Sequence, residues 1–588
     1  MKEHLAELLG ASFDALAADG KLERDVIPES IAIETARDPK HGDFASNVAL
    51  VAAKAAGMKP RDLAQLLIDH LPASGQVTAA EIAGPGFINF RVSDDVYRQL
   101  LADILADGER YACAPANSSG QKILLEYVSA NPTGPLHVGH GRLAAYGATL
   151  GNLLQTQGHE VHREYYVNDA GRQMQILAAS VWLRYLEQRG EALPFPANGY
   201  RGDYILAIAT ALGEAHGDAL RHPAADVLAG LPPDEADGGD KERYIDALID
   251  RARQLLGADT FQDVLSLALE HILGDIRDDL GEFGVHFDEW FSEKRLMEEE
   301  LVEHALEKLQ GSGQVVERDG ALWFLATAYG DDKDRVVRRD NGVTTYFASD
   351  IAYHLNKRER GYDVLLDVLG ADHHGYVSRV RAGLEAMGEP PQSLEVQLVQ
   401  FVALYRGKVK QQMSTRSGQF VTLRDLRNEV GDDAARFFYV SRGNDQHLDF
   451  DLDLARERSN ENPVYYLQYA HARVCSMARK AEETGHAYTV EEGLKQTQAL
   501  REPAEQAIMR TLERYPEILR AAADKRAPQL LVHYLRELAN EFHSYYNAHK
   551  VLVDDDAVRN ARLTLSHAAR QVIANGLGLL GVQAPQSM

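Results

Sequence analysis

The sequence predicts a multidomain α/β protein built on a Rossmann-type parallel sheet, and three observations predict it. An apolar, β-prone run at 123–128 is followed by a helical pattern at 141–154 and a second strand pattern at 160–167. Such a β-α-β unit implies a parallel sheet with its ligand at the carboxyl ends of the strands. Alternating elements return at 347–425, and from about residue 445 the chain is nearly all helix. At 588 residues it is too long for one core, so about three or four domains are expected.

Bulk composition narrows the class. Hydrophobic residues at 45% and charged residues at 26% are the balance of a soluble globular protein. The start, Met1-Lys-Glu-His-Leu-Ala-Glu-Leu-Leu, reads as an amphipathic helix with early acids and not as a signal peptide. No apolar run approaches membrane-spanning length. Cys113 and Cys475 make no spacing motif, so neither a disulfide framework nor a cysteine-based zinc site is expected, in keeping with a reducing cytoplasm. The net charge of −26 argues weakly against a nucleic-acid partner. It is a whole-chain sum, and a large acidic body can carry a local basic groove.

In order, residues 1–115 read as a small α+β module, with helices at 5–18 and 60–71 and a strand at 86–92. The stretch 113–120, rich in Ala, Pro, Asn, Ser and Gly, reads as a linker. Residues 116–440 form the core, with an insertion at about 190–320. Its first part, 194–240, is rich in Pro, Gly, Asp and Ala, and its second part, 242–280 and 298–310, is helical. Residues 314–324 predict a hairpin closed by Asp319-Gly320, and 336–346 predict another turning at Asn341-Gly342. Tyr346 leads into a helix carrying Asp350. A strand at 364–369, the segment Gly370-Ala-Asp-His-His-Gly375, a strand at 394–401 and a loop at 408–418 follow. Residues 441–588 form a helical bundle: Leu530, Leu531, Tyr534, Leu535, Leu538, Ala539 and Phe542 keep helical spacing behind Pro528 at a first-turn position. There is no internal repeat.

His137-Val-Gly-His140 falls where the first strand gives way to a helix. Free N–H groups and the helix dipole there favour an anion. Residues three apart share a helix face, so both imidazoles can address one ligand, and Gly139 leaves room for a flat ring. Alone the pair also suits surface polar residues or a zinc site. Gln412-Met-Ser-Thr-Arg-Ser-Gly418, with Lys408 and Lys410 upstream, is a polar loop able to close over a triphosphate. Alone it reads first as an ordinary exposed basic loop.

With their flanks, these motifs carry a resemblance. Ser129-Ala-Asn-Pro-Thr-Gly-Pro-Leu-His-Val-Gly-His-Gly-Arg142, Val167-Asn-Asp-Ala-Gly171 and Tyr346-Phe-Ala-Ser-Asp-Ile-Ala-Tyr-His354 resemble the bacterial type of arginyl-tRNA synthetase, a class I aminoacyl-tRNA synthetase. So do Gly42-Asp-Phe-Ala-Ser-Asn47, Tyr466-Leu-Gln-Tyr-Ala-His-Ala-Arg473 and Leu580-Gly-Val-Gln-Ala-Pro585. The resemblance runs over almost the whole chain. It implies a class I catalytic domain, an N-terminal add-on domain at the tRNA elbow and a C-terminal anticodon-binding bundle. The implied activity is that of an arginine–tRNA ligase: ATP, with Mg2+, activates L-arginine to arginyl-adenylate plus pyrophosphate, and arginine passes to tRNA(Arg). The family also implies a cytoplasmic monomer without structural zinc or membrane, and activation only with tRNA bound.

The resemblance assigns residues too. His137, His140 and Gly139 would hold ATP, with Gly370, Asp372, Met413 and Ser414. Tyr346 and Asp350 would bind the guanidinium, whose planar fork of donors needs a carboxylate. Glu126, Ser129 and Asn131 would hold the other end of arginine, with His373 nearby. Without the family, Glu126 reads as a buried salt-bridge member and Tyr346 as core packing. Asn89, between Phe87 and Phe90, and Tyr466, Tyr469, Arg473, Tyr545, Tyr546 and Asn547 are candidates for tRNA, since single-stranded bases are read by stacking and edge hydrogen bonds. The chain departs from the family's Lys-Met-Ser-Lys: Gln412-Met-Ser-Thr415 lacks both lysines, leaving Arg416 and Lys410 to supply the positive charge. The other readings are a different class I synthetase, such as one for cysteine or glutamate, or a non-catalytic paralogue. A cysteine enzyme would show a zinc-binding cysteine set, and a glutamate enzyme would need basic residues where Asp350 and Glu126 stand.

Overall fold

The structure is a computed structural model that describes residues 1–36, 41–115, 118–373, 375–411 and 421–588. The chain divides into two compact units.

The first unit takes Met1–Tyr111, Met477–Glu513 and Glu541–Val572. Its sheet is antiparallel, in the order Ile33–Thr35, Phe44–Ser46, Phe87–Val92, Val77–Ala83. Along Phe87–Val92 the pleat turns Ile88, Phe90 and Val92 inward, and leaves Phe87, Asn89 and Arg91 on the outer face. Helices Lys2–Ala18 and Pro60–Asp69 bury Leu5, Leu9, Phe13, Leu63 and Leu67.

The second unit takes Ala112–Ser476, Arg514–Asn540 and Ile573–Met588. Its five-stranded sheet runs Leu394–Val399, Val364–Gly370, Lys122–Tyr127, Glu160–Val167, Glu289–Ser292, with every pairing parallel. Ile123, Leu124 and Leu125 are wholly buried, as a strand covered on both faces requires. From Lys122–Tyr127 the chain first builds outward to one side, then returns to build the other. The switch point therefore lies between Lys122–Tyr127 and Val364–Gly370, where open α/β sheets bind ligands.

Several elements differ from expectation, each for a local reason. The helix after the first strand begins at Val138, not 141. The helical part of the insertion is cut at Gly257, whose φ of 78° breaks it into Lys241–Leu256 and Ala258–Glu282. The second hairpin does not form as a strand pair. Arg335–Arg338 pairs with Ala321–Phe324, which pairs with Val315–Arg318, and the return limb is one bridge, Arg338 to Thr344. It ends there because Thr345 caps the next helix, its Oγ1 accepting from Ala348 N. The strand at 394–401 stops at Val399, and Val402–Arg406 joins a separate sheet with Val409–Lys410 and Leu448–Asp451. In Gln529–Ala548, Leu531, Tyr534, Leu535, Leu538, Ala539 and Phe542 are buried and Leu530 half-buried.

Candidate active site

A cavity of about 450 Å³ opens at the switch point. One wall is the end of Lys122–Tyr127 and the start of helix Val138–Thr156, with Glu126, Ser129, Asn131, His137, Gly139 and His140. Another carries Gly370, Asp372 and His373, and Asp350 and Tyr166 close the deep end.

The two histidines cap the helix. His137 precedes the first turn, and its Nδ1 accepts from Gly139 N at 3.0 Å and His140 N at 3.4 Å. In return His140 Nδ1 accepts from His137 N at 3.2 Å. The rings stack with centroids 3.6 Å apart. Two expectations change. His137 lies outside the helix, so the rings meet by stacking and not by sharing a helix face. The amides of Gly139 and His140 are taken by the His137 ring and that of Val138 by Val421 O, so the first turn makes no open anion nest. Because each Nδ1 accepts, the neutral ring carries its proton on Nε2 and is a donor there. Burial lowers His137 and pushes His140 down to about 3, with His137 adding to the latter shift. The pair is therefore neutral at pH 7. Gly139 is required by His137 itself: a Cβ at 139 would lie 2.9 Å from His137 Cε1.

The segment from Val421 to Leu423 is tied to the same point. Val138 N donates to Val421 O at 3.3 Å, Leu423 N donates to Leu136 O at 2.8 Å, and His137 bridges to Thr422. Met413, Ser414 and Arg416 lie outside the described residues. Lys410 is exposed in the short strand Val409–Lys410 and does not line the cavity.

The deep end is acidic. Glu126 is buried; its Oε1 accepts from Ser129 Oγ at 2.9 Å and its Oε2 lies 2.5 Å from Lys357 Nζ. Lys357 also meets Asp367 at 2.9 Å, and Asp367 meets His354 Nε2 at 2.8 Å. Val128 and Ser129 stand at φ 69° and 40°, a costly conformation for non-glycine residues, and above all for a β-branched one. That turn lets Ser129 Oγ also accept from Tyr166 N at 3.1 Å. Burial pushes the Asp350 carboxyl up to about 6; Glu293 and Glu126 push the same way, against His354 and Arg379. Glu293 is itself raised by burial and by Asp169. Sequence reasoning missed Glu293, which follows the edge strand Glu289–Ser292 inside the stretch read as an insertion, and also Tyr166, Asn168, Gln400 and Phe401. Only Asn168 had a signal, in the segment Val167-Asn-Asp-Ala-Gly171.

Tyr346 does not join Asp350 in the cavity. It is the first residue of helix Tyr346–Glu359, 73% exposed, and it is not among the lining residues. Spacing of four put both on one helix, but only Asp350, a turn further in, is covered by the surrounding strands.

Three family descriptions match this chain. They are the arginyl tRNA synthetase N terminal domain at 2–92, the class I (R) tRNA synthetase catalytic domain at 100–193 and 269–448, and the DALR anticodon binding domain at 467–588. An arginine–tRNA ligase of Thioalkalivibrio sulfidiphilus is 58% identical over 588 residues, covering 100% of both chains. The chain belongs to the arginyl-tRNA synthetase family. Another arginine–tRNA ligase, of Halorhodospira halophila, is 54% identical with both chains fully covered. The fold matches the arginyl-tRNA synthetase of Thermus thermophilus with a TM-score of 0.74 at 24% identity, covering 100% of each.

The residues that the synthetase resemblance assigns to tRNA fall in different settings. Asn89 is half-buried in the middle of its sheet, paired with Ala45 and Glu81. Phe87 shares its face, while Phe90 points into the core, so the two rings do not flank it together. Tyr466, whose hydroxyl donates to Asn540 Oδ1 at 3.4 Å, lines a separate groove with His533 and Arg536. Arg473 lies 4.7 Å over the Tyr469 ring. Tyr545 is 1% exposed and stacks on His549; helical spacing placed it in the core, where no base can reach it. Asn547 is exposed and Tyr546 half-buried.

Among the described residues, His162, Glu164 and Glu289 form a group of metal-ligand types. Arg360 Nη2 donates to Glu164 at 2.6 Å and to Glu289 at 2.7 Å, so a guanidinium stands where a cation would.

Proposed function

We propose that this chain performs the family's reaction, ATP-dependent charging of tRNA(Arg) with arginine, in the cavity at the switch point. The arginine carboxylate attacks the α-phosphorus of ATP, which enters with Mg2+, and pyrophosphate leaves. A terminal hydroxyl of tRNA(Arg) then attacks the arginyl carbonyl of the adenylate, the ester forms as the acyl–phosphate bond breaks, and AMP leaves with the hydroxyl proton released. Positioning and charge stabilisation supply most of the rate in such a step.

One observation carries the reading: a single cavity joins the stacked, neutral histidine pair to the acidic end formed by Glu126 and Asp350, with Glu293 acting on Asp350. His137 and His140 offer Nε2 donors to the phosphates. Asp350 holds the guanidinium, whose planar fork of donors pairs with a carboxylate, and Glu293 adds negative charge behind it. Glu126 and Asn131, with Ser129 fixing Glu126, hold the amino-acid end. Gly370 and Asp372 border the nucleotide, His373 stands on the arginine side, and Met413 and Ser414 would close over the nucleotide. In place of the missing lysines, Arg416 and Lys410 supply the charge opposite the histidines. Arg416→Ala should slow activation on the order of a hundredfold or more; a rate within a few-fold of the parent would sink that assignment.

Residues 1–115 form the tRNA-contacting add-on domain, 116–440 the catalytic domain and 441–588 the anticodon-binding domain. Asn89, Tyr466, Tyr469, Arg473 and Asn547 meet the tRNA. The enzyme acts in the cytoplasm as a monomer without structural zinc. Arginine-dependent exchange of pyrophosphate into ATP, with and without tRNA(Arg), tests the function. Exchange stimulated by arginine alone among amino acids is expected; exchange with cysteine or glutamate, or none at all, would overturn it.

A further inference from the structure

We propose that Arg142 is a positioning residue that fixes the cavity wall on which the purine of ATP is laid. This rests on reading the cavity as the ATP site.

Arg142 is 1% exposed. Its guanidinium donates to three backbone carbonyls: Nη1 to Gln400 O at 2.7 Å and Gln446 O at 2.8 Å, and Nη2 to Gly443 O at 2.9 Å. A buried cation is costly, and a packed apolar side chain would hold a helix in place without that cost. A guanidinium does something an apolar group cannot, since its rigid fork sets the direction of several carbonyls at once.

The carbonyl it sets on one side belongs to the cavity. Gln400 lines it, and Gln400 N donates to Asn444 O at 2.8 Å. Both backbone polar groups of Gln400 are therefore held, and its peptide planes cannot turn. Asn444 Nδ2 donates to Leu398 O at 3.0 Å, tying the same strand end again. This is where Leu394–Val399 stops and the chain bends. Just past the bend, Phe401 lines the cavity and is 61% exposed. An apolar ring left in water on a cavity wall is a stacking surface for a flat base.

His137, Gly139, His140 and Leu143 line the same cavity. Arg142 stands two residues after His140 on the same helix, Val138–Thr156. One rigid element thus carries both the imidazoles at the phosphate end and the guanidinium that sets the purine end. The span between the two ends is a property of that helix.

The test is steady-state pyrophosphate exchange by the full chain with tRNA(Arg) present, using Arg142→Lys, Asn444→Ala, Phe401→Ala and His137→Asn. Arg142→Lys and Phe401→Ala should each raise the KM for ATP about tenfold or more, as loss of a stacking surface does. They should leave the KM for arginine within about twofold and narrow the preference for ATP over GTP by a similar factor. Asn444→Ala should do the same more weakly, and it keeps the proposal testable if Arg142→Lys does not fold. If His137→Asn loses exchange while the other three leave the KM for ATP and the base preference unchanged, the inference is overturned and the site reading stands. If His137→Asn changes nothing, the site reading itself falls. If Arg142→Lys, folded, raises both KM values alike, Arg142 is a packing residue and the inference is likewise overturned.

Discussion

Lys357 Nζ and Glu126 Oε2 lie 2.5 Å apart, with Lys357 wholly buried and 231 residues further along the chain. Asp367 meets the same ammonium, so one buried cation is shared by carboxylates from two adjacent strands. Burial alone would push the Asp367 carboxyl up, but Lys357 and His354 overcome it and hold the group below the usual carboxylate range.

Lys357→Met should therefore be strongly destabilising, because it leaves two carboxylates buried without their cation. The expected loss is about 3–5 kcal/mol, read by urea unfolding at pH 7. The sign of the pH dependence follows from the depressed Asp367. Its contribution is present above the unfolded carboxylate value of about 3.9 and is lost as pH falls towards the folded one. The parent should lose stability steeply below about pH 4, and the variant less so.

Asp350 has the opposite sign. Its folded-state value, about 6, is raised, so ionised Asp350 destabilises the free protein above the unfolded value, and low pH relieves this. Asp350→Asn should raise Tm by a few degrees at pH 8 and by nothing near pH 4. For the parent, kcat/KM for arginine should fall as pH drops through about 6. Asp350→Asn should remove that inflection and cost about a hundredfold or more in kcat/KM, in line with a lost charge-assisted bond to a buried ion.

The histidine cap separates folding from chemistry. His137→Ala should cost about 1 kcal/mol of stability, as loss of an N-cap does. His137→Asn keeps a good capping side chain and should recover that loss in a thermal melt. It lacks the Nε2 donor, so its exchange rate should stay as low as that of the alanine variant.

Burial divides the tyrosines of the helical region. Tyr466→Ala, at a half-buried ring on a groove, should raise the KM for tRNA(Arg) about tenfold, the loss of one stacked base. Tyr545→Phe, in the core, should leave it within about twofold.

Much of this was legible in the sequence because it is local. The run Ile123-Leu-Leu125 is apolar enough to demand a strand covered on both faces, and Asp319-Gly320 closes its hairpin as written. His137 and His140 could be picked out by type and spacing. Their reciprocal capping could not, since it depends on His137 taking an extended φ of −100° and ψ of 169° just before the first turn. Glu293 was invisible because the strand before it is only four residues long and lies inside the stretch read as an insertion. Tyr346 was placed with Asp350 by spacing, which says which residues share a helix but not which of them the neighbouring strands cover.

By itself, then, the sequence determined the family, the parallel sheet and the chemical type of the residues at its switch point. These follow from periodicity and from motifs contained in short stretches of chain. Only the tertiary structure decided which charges share buried space: Lys357 with Glu126 and Asp367, Arg142 with the carbonyls of Gln400, Gly443 and Gln446. Desolvation and pairing depend on every group within a few ångströms, and Glu126 and Lys357, like Arg142 and Gln400, come from segments more than 200 residues apart.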